Sequence, residues 1–467
     1  MSLQLLHGES VSAFYWGQGY GGPLETVLAA PFVWLLGTSY LALRLVPVTL
    51  SAVTALVVWR VGLRTTSRHG ALLAAALAWC FPTSLMWKTI QFHIFYASGI
   101  LLGMLVLLQA IRLTEKATGR RALVLGGLTG LGLWQSFQLV TIVPAILGWL
   151  FFRRRDLLRY APLGALGAAV SLLPALISNL KHNWWSFKIV SAGHGMSYLD
   201  RLWQLFTNTL PLELDLRTPV TLQWFAWTPV GLAVYAVVLT SFVWLVRQSR
   251  PGRHLHRVEV LVVIAATFPF IYALSPMTAL GNIARYVLVL TPPIALLVTA
   301  WIRTTRQAVI TSLAALILLT TNGLRLLTAP KPGPTDAMSL PRSFASLDRE
   351  IIRLGIRRVW ATYWIAHRIT YETGERVIAA EMRPSALRSA PNGALVPPPN
   401  DPSVYHRNGP YVSIVSHAAW PAYVFDKAYD PTNTPYSAFP ASGYHTSHVG
   451  PFTIYFRRGD ETRTPSG

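Results

Sequence analysis

The chain has 467 residues, enough for several soluble domains, but its 52% hydrophobic content, mean hydropathy of +0.40 and 13% charged residues exclude an ordinary water-soluble protein. The formal charge of +21 does not indicate nucleic-acid binding, because the arginines fall in short clusters between apolar runs and form no single basic face. The only cysteine, Cys80, sits in an apolar run beside Trp79 and Phe81, which excludes an internal disulfide and a cysteine metal set; no secretory signal pattern follows Met1.

In chain order, the first 38 residues hold an aromatic and glycine-rich string and then an apolar stretch, 23–37. That stretch is too short to cross the hydrocarbon and reads as an in-plane amphipathic helix. Ten apolar runs follow, near 39–60, 70–87, 94–111, 121–135, 138–152, 158–178, 228–247, 258–274, 286–302 and 307–327. The fourth and fifth are short and read either as two crossings or as a re-entrant hairpin. The Gly126–Gly132 stretch within the fourth predicts a small-residue face for helix packing.

Alternate loops hold 17 Lys and Arg, among them Arg60, Arg64, Arg112, Arg121, Arg153, Arg154, Arg155, Arg247 and Arg303, against 6 in the intervening loops. The positive-inside rule places the first set in the cytoplasm. Residues 1–38, a large loop at 179–227 and everything beyond about 330 are then expected outside. An even number of crossings leaves both ends of the chain outside, which predicts a further span upstream of Met1.

After Thr328 a Pro- and Gly-rich linker leads into a polar tail, 335–467. Apolar spacing predicts a helix over 341–355, a strand over 357–361, a helix over 363–372 and strands at 411–415 and 452–456. The expected architecture is an all-α polytopic membrane bundle over 39–328 with a small C-terminal α/β or α+β extracytoplasmic domain.

No ionisable residue falls at mid-bilayer depth: Arg44, Arg285 and Arg325 lie near outer helix ends and Glu259 near an inner end. This counts against an ion-coupled transporter, which needs midplane carboxylates, and places candidate chemistry at the outer boundary. The most informative stretch there runs from His7 through Phe14-Tyr15-Trp16-Gly17-Gln18-Gly19-Tyr20-Gly21-Gly22-Pro23-Leu24-Glu25. Aromatic rings suited to sugar faces, glycines that admit close backbone approach and one amide suit a carbohydrate site. The same composition also describes an interfacial aromatic belt with a glycine turn.

This string, the Ala29-Ala30-Pro31-Phe32 helix after it, and Ala42-Leu43-Arg44-Leu45 resemble the first outer loop of GT-C type membrane glycosyltransferases. These are the multi-spanning enzymes related to the protein O-mannosyltransferases and the lipid A aminoarabinose transferase. Leu173-Pro174 with Asn179, Ala284-Arg285-Tyr286 before Thr291-Pro292-Pro293, and the tail string from Val359 to Arg368 are similar to the same family.

The resemblance implies transfer of a sugar from a polyprenyl-phosphate carrier to a glycan, lipid or protein acceptor on the extracytoplasmic face of the cell membrane. A carboxylate would deprotonate the acceptor hydroxyl, and cations would hold the leaving phosphate. By position the phosphate candidates are Arg44, Lys88 and Arg285, for each of which a snorkelling helix-end cation is the alternative. Trp16, Gln18, Tyr20, His93 and Tyr286 complete the expected substrate-binding set. The family's catalytic Asp lies upstream of the aromatic string, so it is expected before Met1, and a chain without it would be inactive. Glu25 is the weak internal candidate, with a helix cap as its alternative.

Membrane lipid and the lipid-linked sugar are the expected partners, with no nucleic acid. His445 and His448 lack a third ligand, so no metal is assigned, and the identity of any divalent cofactor stays open. A transporter or flippase and a catalytically dead scaffold are the competing readings.

Overall fold

The structure is a computed structural model. It describes residues 1–16, 18–83, 85, 94–187, 196–218, 222–249, 258–275, 278, 285–328, 343–382, 388–389, 395–396, 409–426 and 443–457. Lys88 and His93 lie outside the described residues. The chain divides into two compact units: Met1–Tyr15, Gly19–Phe32 and Leu43–Thr328 form one, and Trp16–Gln18, Val33–Ala42 and Ala329–Gly467 the other.

The first unit is helical. After α1 (Ser2–Leu6) and α2 (Leu24–Leu36) come α3 (Tyr40–Thr65), α4 (Arg68–Cys80), α5 (Tyr96–Glu115), α6 (Gly119–Gln135), α7 (Val143–Arg153) and α8 (Ala161–Lys181). Three short helical pieces follow: α9 (Tyr198–Gln204), a π turn (Leu205–Thr209) and α10 (Leu210–Glu213). The long α11 (Thr228–Gln248), α12 (Glu259–Leu274), α13 (Thr291–Thr299) and α14 (Thr305–Thr328) complete the unit.

Each of the ten apolar runs is thus helical over its greater part. Among the described residues five helical stretches are long and apolar enough to cross a membrane: Tyr40–Thr65, Tyr96–Glu115, Arg155–Lys181, Thr228–Gln248 and Thr305–Arg325. Their outward side chains are apolar, as with Leu166, Val170, Val237, Leu316 and Ile317, all exposed. A surface of that extent is stable only against lipid, where helices satisfy their own backbone hydrogen bonds.

Lipid chains are as apolar as leucine, so helices associate in a membrane through close fit. The expected small-residue face provides it. Gly126 and Gly130 of α6 lie against the backbone of Gly164 and Ala168 of α8, and Gly167 lies against Leu123; a Cβ on Gly126 would land on the Gly164 carbonyl oxygen. Between α6 and α7 the chain breaks at Ser136 into extended backbone and a short 3-10 turn, Phe137–Thr141.

The second unit is an α/β layer structure. It holds α15 (Ala345–Arg353), β1 (Arg358–Ala361), α16 (Tyr363–Glu372), β2 (Ile378–Glu381), the two-residue strands β3 (Arg388–Ser389) and β4 (Leu395–Val396), α17 (Gly409–Ser416), β5 (Ala422–Asp426), β6 (His445–Val449) and β7 (Phe452–Phe456). The main sheet runs β2-β1-β5-β7-β6, with β1 parallel to β2 and β5, and β7 antiparallel to β5 and β6.

Alternate residues of β1 face opposite layers. Val359 and Ala361 pack with Leu347, Ile351, Ile365 and Ile369 of α15 and α16. Trp360 packs with Tyr411 and Val415 of α17, and Trp16 leans on the same cluster, its ring edge-on to Tyr411 at 5.7 Å.

The helices over 345–353 and 363–372 and the strands over 358–361 and 452–456 match the expectations from spacing. The expected strand at 411–415 is instead the helix α17. Its two buried residues, Tyr411 and Val415, are four apart on one helical face, while Ser413 and Ile414 point out. Packing on the sheet overrides the strand preference of these residue types.

Asp348 of α15 is buried, and loss of hydration, then the neighbouring Glu372, holds its carboxyl up at about 7. A carboxyl raised in the folded state binds its proton more tightly there than in the unfolded chain. The unit therefore loses stability as pH rises from 3.8 to about 7. Asp348→Asn is expected to raise the melting midpoint of the full chain at pH 8 and to leave it unchanged at pH 4. An equal shift at both pH values would contradict this cause.

Candidate functional site

Those parts of the aromatic string that belong to the helical unit, up to Tyr15 and from Gly19 on, are pinned from three sides. Tyr15 N–H donates to the Gly21 carbonyl at 2.9 Å, and Trp134 Nε1 donates to the Ala13 carbonyl at 2.7 Å. Gly19 lies so close to the Trp185–Ser186 backbone that a Cβ would collide with it. Gly21 takes the left-handed φ of +80° against the Phe95 ring. Only glycine accepts both conditions at that position. Phe14 meets Trp185 edge-on at 6.1 Å, and Trp185 stacks on His182 at 4.8 Å.

The pinned loop delivers Tyr20 to the start of α5, where it meets Phe95 edge-on at 5.9 Å; Phe95 lies 4.9 Å from the Tyr96 ring. Arg285 arrives from a distant part of the sequence. Its guanidinium hydrogen-bonds the hydroxyls of Tyr96 and Tyr286 and sits 4.8 Å from the centre of the Tyr286 ring. Its own carbonyl accepts from Gln138 Nε2 at 2.9 Å. Tyr20 lies within electrostatic reach of both Tyr96 and Tyr286.

These four side chains are half-buried, so an anion can approach a cation already oriented by phenol oxygens. The sequence reading singled out Tyr20, Arg285 and Tyr286, and they lie together here. Tyr96 was missed: a tyrosine opening an apolar helix gives no local signal, and only the tertiary approach of Arg285 reveals it.

The remaining candidates sit elsewhere. Trp16 and Gln18 belong to the second unit, where Trp16 joins the Trp360 cluster and Gln18 is buried. Arg44 is half-buried near the N-terminal end of α3.

Glu25 is fully buried, and its Oε1 accepts from Ser98 N–H at 2.8 Å and Ser98 Oγ at 2.7 Å. Gln135 ties the same group together, donating from Nε2 to Ser98 Oγ at 2.9 Å and accepting from Leu24 N–H at 3.1 Å. Glu25 thus caps the N-terminus of α5 at Ser98, 73 residues further on, and not the helix it opens. Burial pushes its carboxyl up to about 7, with the bonds from Ser98, Phe95 and Ala97 working in the opposite direction.

Glu25→Gln keeps one acceptor oxygen, and the folded yield and any transfer activity are expected to persist. Glu25→Ala leaves the helix end unsatisfied and is expected to cost about 1–3 kcal/mol in detergent-solubilised melting. If Gln abolished turnover without changing the melting midpoint, Glu25 would have a chemical role and not an architectural one.

The carboxylates of the 179–227 segment are also interior. Glu213 accepts from Thr291 Oγ1 at the start of α13, and burial drives its carboxyl well up. Asp215 Oδ2 accepts from Thr83 Oγ1 at 2.9 Å, and burial raises it to about 7; its carbonyl accepts from Asn322 Nδ2 of α14. These bonds stitch the 205–218 segment to three other parts of the bundle. Among the described residues no group of three or more His, Cys, Asp or Glu is arranged to hold a metal ion.

Residues 21–196, somewhat over a third of the chain, match the family described as dolichyl-phosphate-mannose-protein mannosyltransferase. The fold is similar to the crystal structure of ArnT from Cupriavidus metallidurans bound to undecaprenyl phosphate. The TM-score is 0.61 at 11% identity, covering 99% of this chain and 93% of that one. Over that segment the chain is thus similar to membrane mannosyltransferases, and over its whole length it shares the fold of ArnT. Archaeal oligosaccharyltransferase AglB from Archaeoglobus fulgidus, in complex with an inhibitory peptide and a dolichol-phosphate, aligns to this chain with a TM-score of 0.49 at 12% identity, over 99% of this chain and 70% of that one. No curated protein sequence matches it.

The segment matched by the family runs from Gly21, through α2 to α8, to residue 196. It therefore includes Glu25, Arg44 and Tyr96, while Tyr20, Arg285 and Tyr286, which meet Tyr96, lie outside it.

Proposed function

We propose that this protein is a GT-C type membrane glycosyltransferase that moves a sugar from a polyprenyl-phosphate carrier to an acceptor on the extracytoplasmic face of the cell membrane. Arg285 would hold the carrier phosphate. The observation that supports the reading most is the arginine itself, half-buried and held by Tyr96 and Tyr286 beside Tyr20. It lies in a fold shared with a protein whose crystal structure contains undecaprenyl phosphate.

The charge asymmetry of the loops supports an outward orientation for both the aromatic loop and the C-terminal domain. In the reaction the acceptor hydroxyl attacks the anomeric carbon, the bond to the carrier phosphate breaks, the hydroxyl proton passes to the departing phosphate, and Arg285 matches the remaining negative charge. Tyr20 and the other rings offer faces for the sugar. We assign no catalytic base: Glu25, Glu213 and Asp215 are each buried and bonded within the bundle. Tryptophans in the loop after α8, such as Trp184, Trp185 and Trp203, suit an acceptor clamp or interfacial anchors.

The test is binding of undecaprenyl phosphate to the purified full chain in nanodiscs, followed by native mass spectrometry. The expected result is a retained carrier that Arg285→Ala releases. Equal retention by both proteins would remove the phosphate role from Arg285, and no retention by the parent chain would overturn the reading.

A further inference from the structure

A cavity of about 340 Å³ lies within the helical unit, far in sequence from the aromatic loop, and the proposed transfer does not use it. Leu113 of α5, Ala122 and Thr129 of α6, Leu150 of α7 and Ala165 of α8 line it, and Arg154 stands at its edge. These residues share one feature of placement. Leu113 and Leu150 lie in the last turns of their helices, and Ala122 and Ala165 in the first turns of theirs. All four helix ends join through two loops, 116–118 and 154–160, and Arg154, Leu157, Leu158 and Tyr160 of the second loop line this end of the cavity. From Ala122 to Thr129 it extends about 10 Å along α6 at 1.5 Å per residue.

The wall is almost wholly apolar, which suits a hydrocarbon chain and no sugar or nucleotide. The mouth is basic. Arg153, Arg154, Arg155 and Arg159 against Asp156 give a net +3, and Lys116, Arg120 and Arg121 lie in and beside the other loop. Arg154 is held in place by paired bonds to Asp156 at 2.8 and 2.9 Å and by one to the Thr114 carbonyl at 2.8 Å. Among the described residues two of its five N–H donors remain for a ligand. An apolar slot about 10 Å deep beneath a fixed guanidinium complements a molecule with an anionic head and a hydrocarbon tail.

We infer that this groove is a binding site for an anionic phospholipid of the cytoplasmic leaflet, its phosphate at Arg154 and the first part of one acyl chain between α6, α7 and α8. The basic loops are those that the positive-inside rule retains in the cytoplasm, so the site belongs to the opposite leaflet from the proposed transfer. It does not depend on that activity.

The experiment is native mass spectrometry of the full chain released from nanodiscs containing equal parts of phosphatidylglycerol and phosphatidylcholine. The parent protein is expected to retain phosphatidylglycerol selectively. Arg154→Gln should lower retention about fivefold, the factor for one basic residue at an anionic surface. Ala165→Phe fills the slot with every arginine intact and should lower it equally, whereas Ala169→Phe, on the same helix outside the cavity, should not. Equal retention of both lipids would overturn the inference. So would undiminished retention in Ala165→Phe, which would leave only loose attraction to basic loops. Displacement of the retained lipid by undecaprenyl phosphate would also overturn it, since the groove would then hold the carrier.

Discussion

Arg285→Ala is expected to lower transfer from a lipid-linked donor by a factor on the order of 10²–10³, the range for removing one fixed charge-stabilising group from a reacting centre. The effect is large because nothing else in the described cluster carries a positive charge: Tyr20, Tyr96 and Tyr286 supply only neutral phenols. Arg285→Lys should recover part of the loss, since ammonium keeps the charge but not the forked contacts to two hydroxyls. The measurement is sugar turnover in proteoliposomes together with the melting midpoint. Turnover equal to the parent would remove Arg285 from the chemistry. A fall in turnover matched by a collapse in melting would make it a structural tie between α5 and the 285–286 segment.

The largest effect on stability is expected from Gly126→Leu. Its first side-chain carbon would fall on the Gly164 carbonyl oxygen, so α6 and α8 must separate along a contact that extends through Gly130 and Gly167. Overpacking against backbone, which has no rotamer to yield, is expected to cost about 3 kcal/mol or more, the upper part of the range for inserted side chains. Loss of the monodisperse species in size-exclusion chromatography is the readout. Gly148 of α7 supplies the contrast: a Cβ there meets nothing within 4 Å. Gly148→Ala should be neutral or gain up to about 1 kcal/mol from helix preference. If Gly126→Leu behaved like Gly148→Ala, close approach would not be what joins these two helices.

The helices were readable because lipid imposes a length and an apolarity on each, and those constraints are local. Helix α6 could be placed from its apolar run, and even its packing face from Gly126 to Gly132. The same reasoning succeeded in the tail wherever one buried stripe dominated, as in 363–372. It failed at 411–415, where tyrosine, valine and isoleucine favour a strand but a sheet already stood beneath them. It also passed over β2 and β5, which are held by parallel pairing to β1 and not by a local pattern.

The candidate site was legible only as a residue inventory. Arg285-Tyr286 stood out as a pair at a helix end, but its meeting with Tyr96 and Tyr20 depends on how four separate segments pack. Glu25 shows the limit from the other side. Its local setting suggested a cap for its own helix, and the group it holds, Ser98, lies 73 residues away.

The order of strands in the C-terminal sheet bears on how the protein is made. Strand β1 is the parallel centre, yet β5, one of its two partners, emerges from the ribosome some sixty residues later, and β7 then covers the free edge of β5. Until Phe456 has been delivered, Val424 and Ile454 lack part of their shared layer, and β5 offers unpaired backbone to any neighbouring chain. A nascent chain paused within this region is therefore exposed to self-association. Strands β6 and β7 are a seal on the domain, and removing them would convert an interior strand into an adhesive one.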